Sequence, residues 1–287
     1  MDARDRARHL FLKLPTGIQR RALKQTGRHQ PWEDGQAPQA PPCPEGMTVG
    51  PPDFVGVGVP KSGTSWWFAL LLAHPDMHGP LKKELLFFNR VFFEKYRDRT
   101  WTEEDLAPYH QWFPRPAGSI TGEWTPSYIF WHRLPPLLRM TAPKAKVLIL
   151  LRDPIERYQS DISRHMNKDR LSYVRYRSLA RGFYSADLQP WEAEYDPSEM
   201  LVMQYEACVA DPASHVAATY RFLGLDDTFV PPQLQAGVNV TRSKLDIEPG
   251  FAHLLTELYE PDVVRLVARY PQIDLNLWPN FAYLAGD

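Results

Sequence analysis

Cysteine is nearly missing from this chain: Cys43 and Cys208 are the only two in 287 residues. A disulfide framework is therefore not implied, and a reducing compartment is the simpler setting. There is no C-x-x-C and no H-E-x-x-H, so the sequence offers no metal motif and no metal is expected. Charge of one sign is lacking too. The formal net charge is −1, which leaves the whole chain without a nucleic-acid footprint. No apolar run reaches the roughly 18–20 residues that span a bilayer. The N-terminus has no continuous apolar signal core, because Pro15 and basic residues interrupt it. Together these absences predict a soluble, cytoplasmic protein.

What is present is a chain long enough for one large α/β domain or two small ones. Apolar residues make up 44%, and nine Trp, thirteen Tyr and fourteen Phe predict a large core with an aromatic-lined cleft. Residues 1–30 are basic: eight Arg and Lys oppose Asp2 and Asp5, a local charge of +6. Two readings fit this stretch. One is a weak membrane-surface or partner-binding arm; the other, which we favour, is a solvated helical extension packed on the domain. Residues 31–52, rich in Pro, Gly and Gln, read as a linker. The boundary is set at an extension over 1–51 and a catalytic domain over 52–287.

Within that domain three short apolar runs read as strands: Phe54 to Val59, Lys146 to Leu151, and Met200 to Tyr205. Helices are expected after the first two. The second is capped by Asp153 with Pro154 at its first position. A further helix spans Asp211 to Leu223, closed by Gly224, and one or two more cover Phe251 to Tyr270. Trp101 to Phe113 reads as a helix and loop, and Pro135 to Met140 as part of a helix. Alternating strands and helices predict a three-layer α/β/α domain with a central, mostly parallel sheet.

Residues 54–66, FVGVGVPKSGTSW, are the most informative segment. A buried strand stops at Pro60, Gly63 permits a tight turn, and Thr64 or Ser65 is expected to cap the helix that begins around Trp66. A helix N-terminus beside Lys61 is an anion-binding site. It is not a nucleotide-triphosphatase loop, which needs G-x-x-x-x-G-K-[ST]; those two glycines would fall at Val55 and Pro60. Here the glycine follows the lysine. Arg152, directly after the second strand, brings another cation to the same sheet edge, where open parallel sheets bind ligands.

The order P-K-S-G-T-S-W resembles the 5′-phosphosulfate loop of sulfotransferases that use 3′-phosphoadenosine 5′-phosphosulfate (PAPS). Arg152 with Ser160 eight positions on is similar to that family's 3′-phosphate motif. The resemblance covers roughly residues 54–285 and implies a P-loop-like sulfotransferase fold, with PAPS as sulfuryl donor. In motifs the chain looks closest to the heparan-sulfate branch, as a soluble bacterial-type member. That branch has a basic glutamate after H-P-D and before an aromatic pair. Glu84 matches it, after His74-Pro75-Asp76 and before Phe87-Phe88. The resemblance thus implies Glu84 as general base and Lys61 as the residue that stabilises the leaving phosphate. Leu85 to Phe88 would desolvate Glu84, and Lys82 and Lys83 would oppose the resulting pKa rise. The alternative for Glu84 is a surface ion pair with those lysines. His74 is expected to pack or cap the first helix.

Gly122 to Tyr128 resembles an E-K-T-P-S-Y segment of the same branch, with Trp124 in place of its lysine. Glu123 is read as a structural partner for a lysine rather than a second acid in the cleft. Trp66 and Tyr205 match aromatic positions that meet adenine. Arg242, Ser243 and Lys244 fall where the family has a basic loop over the nucleotide, a loose match. The remaining donor-side residues implied are Ser62, Gly63, Thr64 and Ser65, through backbone N–H groups reaching as far as Trp66. The acceptor is a hydroxyl on a sugar, glycolipid or small metabolite. Rival readings are a P-loop small-molecule kinase using ATP and Mg²⁺, and a non-catalytic nucleotide-binding protein.

Overall fold

The computed structural model describes residues 39–88, 101–164, 171–234 and 245–286. The basic stretch 1–30 and the loop holding Arg242, Ser243 and Lys244 lie outside these. Contacts divide the chain into two units, Met1–Ala40 with Leu86–Trp101, and Pro41–Leu85 with Thr102–Asp287. In the first, the Phe87 and Phe88 rings meet edge to face at 5.2 Å. All that follows concerns the second.

Its centre is a parallel sheet in the order β2-β3-β1-β4-β5. The strands are β1 (Phe54–Gly58), β2 (Met77–His78), β3 (Ile120–Trp124), β4 (Lys146–Leu151) and β5 (Met200–Gln204). β1 lies in the middle, paired with β3 and β4, and is buried throughout, as a run covered on both faces must be. Its glycines have a packing role: a Cβ on Gly56 would lie 2.1 Å from the Trp124 ring on β3. The Trp124 indole donates to the Gly58 carbonyl at 3.2 Å. β3 was not expected as a strand. Its interior is polar: Thr121 and Glu123 are both fully buried.

Nine-residue α1 (Thr64–Leu72) follows β1. Its N-cap is Gly63, left-handed at φ 78°, with no side-chain cap. The cap expected at Thr64 or Ser65 is thus displaced by one residue: the turn needs positive φ, and glycine alone meets that without strain. α1 packs on α8 (Pro212–Leu223), where Trp67 donates to Thr219 and the Tyr220 hydroxyl to the Leu70 carbonyl. Between them come α2 (Glu103–Leu106), opened by a capping box from Thr102 and Asp105, then a 3₁₀ stretch over Ala107–Trp112 and α3 (Leu134–Thr141). α4 (Pro154–Arg164) is opened by Asp153, whose Oδ1 accepts the N–H groups of Ile155 and Glu156. α5 (Leu171–Ala180), α6 (Tyr184–Glu192) and α7 (Tyr205–Ala210) complete the middle of the chain. Tyr205 therefore starts a helix rather than ending β5. Asp211 caps α8 and left-handed Gly224 ends it. The expected late segment is a single helix, α9 (Pro249–Arg269), despite Pro261 inside it. Among the described residues, no helix is long and apolar enough to cross a membrane.

Candidate active site

β1, β4 and β5 are neighbours, and the chain leaving each carboxyl end supplies one wall of the same cleft. Lys61 comes from β1, Arg152 from β4 and Tyr205 from β5. The cavity is about 400 Å³. Gly63, Thr64, Ser65 and Trp66 line it from the start of α1, Ser160 from α4, and Glu84 from the segment after β2. Residues far apart in sequence thus meet at one sheet edge, where a parallel sheet leaves its loops free for a ligand.

The backbone of the loop is unusual at two positions. Lys61 and Gly63 both hold left-handed backbone, φ 75° and 78°. For lysine that conformation costs about 1–2 kcal/mol, and such strain gathers at functional sites. Alternation of this kind makes an anion-binding nest. Arg152 braces it: one guanidinium nitrogen donates to the Lys61 carbonyl at 3.1 Å and another to Glu156 at 3.1 Å. Arg152 thus pairs with Glu156 and lines the cleft as well. The guanidinium also sits 5.1 Å over the Tyr205 ring, and Tyr205 meets Trp66 edge-on at 6.3 Å. A Cβ on Gly63 would fall 2.6 Å from that same tyrosine ring.

Two features bound the expected backbone cradle. The Ser62 side chain does not line the cleft; it is fully buried, its hydroxyl without a partner among the described residues, so only its backbone can serve a ligand. The Trp66 N–H donates back to the Gly63 carbonyl at 3.0 Å, which narrows any backbone cradle to the residues before it.

Glu84 lines the cleft and is exposed. The burial expected from its apolar neighbours is absent, because Leu85 turns inward while Glu84 stays in solvent. Glu84 too has left-handed backbone, φ 55°. Lys83 turns to the Ser65 hydroxyl. Burial lowers the Lys83 pKa, and the Glu84 charge partly opposes this. The reading of Glu123 as a lysine partner is replaced. It accepts from the Tyr109 hydroxyl at 2.6 Å, from Thr125 at 2.5 Å and from the Leu85 N–H at 3.3 Å. It thereby ties the Glu84 segment to β3. His74 packs as expected, buried between Tyr220 and Phe229.

Four further charged residues on the cleft were not foreseen: Asp161, Arg164, Arg177 and Arg181. The first two share α4 with Ser160, and the four-residue step from Ser160 to Arg164 places them on one face, a signal present in the sequence. Arg177 and Arg181 have the same spacing, but only the tertiary fold brings them here. Arg181 also lies 4.6 Å over the Phe130 ring. Of these four, Arg164 and Asp161 act on Lys61. Burial lowers its pKa most, Arg164 and Arg152 lower it further, and Asp161 works the other way.

A cleft of this composition, cationic and rich in N–H donors, suits a polyanion. Its strand ends and loop order match a known class. The Sulfotransferase domain model covers residues 51–241, and the chain belongs to that family. Mouse heparan sulfate glucosamine 3-O-sulfotransferase 3B1 is 27% identical over 218 residues, 67% of this chain and 53% of the relative. Human heparan sulfate glucosamine 3-O-sulfotransferase 6 is 30% identical over 218 residues, 68% of this chain and 60% of the relative. The chain thus spans little more than half the length of these curated relatives. The crystal structure of a sulfotransferase from Alicyclobacillus acidocaldarius superposes with a TM-score of 0.64 at 27% identity, covering 80% of this chain and 99% of that one. The family implies PAPS as the sulfuryl donor.

Proposed function

We propose that this chain, through a domain over 52–287, transfers a sulfuryl group from PAPS to an acceptor hydroxyl. The observation that carries the reading is the convergence of Lys61, Arg152 and Tyr205 from three adjacent strand ends onto one cleft. PAPS supplies an activated sulfuryl group on a phosphate leaving group. Lys61 neutralises charge on that phosphate, and the N–H groups of the loop from Ser62 to Ser65 hold its oxygens. Arg152 and Ser160 bind the 3′-phosphate by charge-assisted hydrogen bonds. Trp66 and Tyr205 offer their ring faces and edges to the adenine. Arg242, Ser243 and Lys244, by their match to the family's basic loop, are assigned to binding the nucleotide. Glu84 accepts the acceptor hydroxyl proton; its exposure on the cleft leaves it reachable by an incoming substrate. The named substrate of the curated relatives favours a sugar hydroxyl, with a glycolipid or small metabolite as the other classes. We place the protein in the cytoplasm, which suits its two free cysteines.

Calorimetric titration with 3′-phosphoadenosine 5′-phosphate (PAP) tests the donor site, with 5′-AMP and ATP·Mg²⁺ as competitors. Binding should require the 3′-phosphate and be lost in Arg152→Ala. Preference for ATP·Mg²⁺, or no binding of PAP, would overturn the reading and favour phosphoryl transfer.

A further inference from the structure

Arg152 and Tyr205 are each followed in the chain by a carboxylate, Asp153 and Glu206. Neither acid lines the cleft. They meet behind it: the Asp153 N–H donates to Glu206 Oε1 at 3.0 Å. The other oxygen of Glu206 accepts the Trp278 indole N–H at 2.9 Å. Asp153, with one oxygen on the start of α4, uses the second to accept from the Asn280 N–H and amide at 3.2 and 2.9 Å. The Arg152 carbonyl in turn takes the Tyr184 hydroxyl at 2.8 Å. Asp153, Tyr184 and Trp278 are fully buried. A segment near residue 280 is thus fastened to the backs of two strand ends that face the ligand. Burying carboxylates is costly even when they are paired, and apolar packing would fill the same space at lower cost. What the acids add is a fixed spacing between two backbones.

We infer that Glu206 is a positioning residue for the donor site: with Trp278 it locks the backbone following Arg152 to that of Tyr205, and so sets the guanidinium against the ring. This rests on the reading of the cleft as the PAPS site. Burial raises the Glu206 pKa to about 7, and raises that of Asp153 as well. The groups facing Glu206 are Asp153 at the start of α4, Tyr184 from α6, the Trp278 indole, and Tyr205 and Cys208 on its own helix; Arg157 faces Tyr184. As a carboxylate Glu206 accepts both N–H bonds with its charge; protonated, it is the weaker acceptor. The lock therefore tightens as pH rises through neutrality.

The test is PAP titration of the full chain as wild type, Glu206→Gln and Trp278→Phe, at about pH 6 and about pH 8. Glutamine keeps the volume but turns an NH₂ toward one of the two N–H donors. Phenylalanine keeps an aromatic ring and leaves every charge in place while deleting the indole donor and some buried volume, a packing cost that does not vary with pH, so it carries the test if Glu206→Gln fails to fold. At the higher pH each variant should bind PAP about fivefold more weakly than wild type, the scale of one mispaired hydrogen bond. At the lower pH each should come within about twofold of wild type, because Glu206 is then neutral in wild type and Trp278→Phe, as glutamine always is. Two results would overturn the inference while leaving the donor site intact: wild-type affinity in the variants at the higher pH, or an equal loss at both. No PAP binding by wild type would remove the donor-site reading and this inference with it.

Discussion

Gly63→Ala probes the loop most directly. Two costs follow from the structure. The backbone at Gly63 is left-handed, φ 78°, which charges an L-residue about 1–2 kcal/mol. The new Cβ would also lie 2.6 and 2.7 Å from Cε2 and Cδ2 of Tyr205, so the ring must retreat by about 1 Å to reach ordinary contact. Tyr205 is held by Trp66 at its edge and Arg152 above its face, and retreat disturbs both. We expect a total loss of about 2–3 kcal/mol in urea unfolding, and PAP affinity weakened about tenfold, by analogy with other overpacking changes. Tyr205→Ala separates the two terms. In that background Gly63→Ala keeps its backbone cost but meets no ring, so it should cost about 1 kcal/mol less than in wild type, a coupling that a double-mutant cycle reads directly. Strict additivity, or a Gly63→Ala protein as stable and as tight for PAP as wild type, would refute the described loop.

Glu84→Gln should lower turnover about 10²-fold or more, the usual scale of a lost general base, while PAP affinity stays within about twofold of wild type. Rapid-quench transfer assays beside titration would read this split, and an equal fall in both would remove Glu84 from the base role. Arg139 grips Glu199 with two hydrogen bonds of 2.7 Å, holding its carboxyl down at about 2 against an ordinary 4.5. A depressed folded pKa gives stability that is present above the ordinary value and lost as pH falls toward the folded one. Arg139→Met should therefore cost about 1 kcal/mol near pH 7, discounted for the partly exposed pair, and the cost should fade toward about pH 2. Urea midpoints along that range would check it.

The legible parts of the fold were those where local chemistry and tertiary role coincide. β1, β4 and β5 are apolar because both sheet faces are covered; α4 and α8 carry their own caps at Asp153 and Asp211. β3 escaped because its burial is polar. Thr121 and Glu123 break the apolar run that marks a buried strand, and the Tyr109 and Leu85 groups that help satisfy Glu123 arrive from separate segments. The cap of α1 was misplaced by one residue because turn geometry outranked side-chain capping. At the site, Lys61, Arg152, Ser160, Tyr205 and Glu84 were each visible beside a strand end or motif. Arg177 and Arg181 were not, since only the tertiary fold brings them to the cleft that Lys61 lines. Ser62 was named for its position in the loop, and its side chain proved to point inward.

The brace from Arg152 to the Lys61 carbonyl has a consequence for the order in which the molecule comes into being. β1 and its loop are made early, but the loop gains its brace only when β4 has paired beside it, and its rear support only when Trp278 reaches Glu206. Contacts this distant in sequence form late, after most of the closure entropy has been lost. A nascent or misfolded chain would thus present the lysine without the nest. Any donor that binds only the finished arrangement would draw the folding equilibrium toward it by mass action, so donor abundance in the cell would set how much of this protein persists folded.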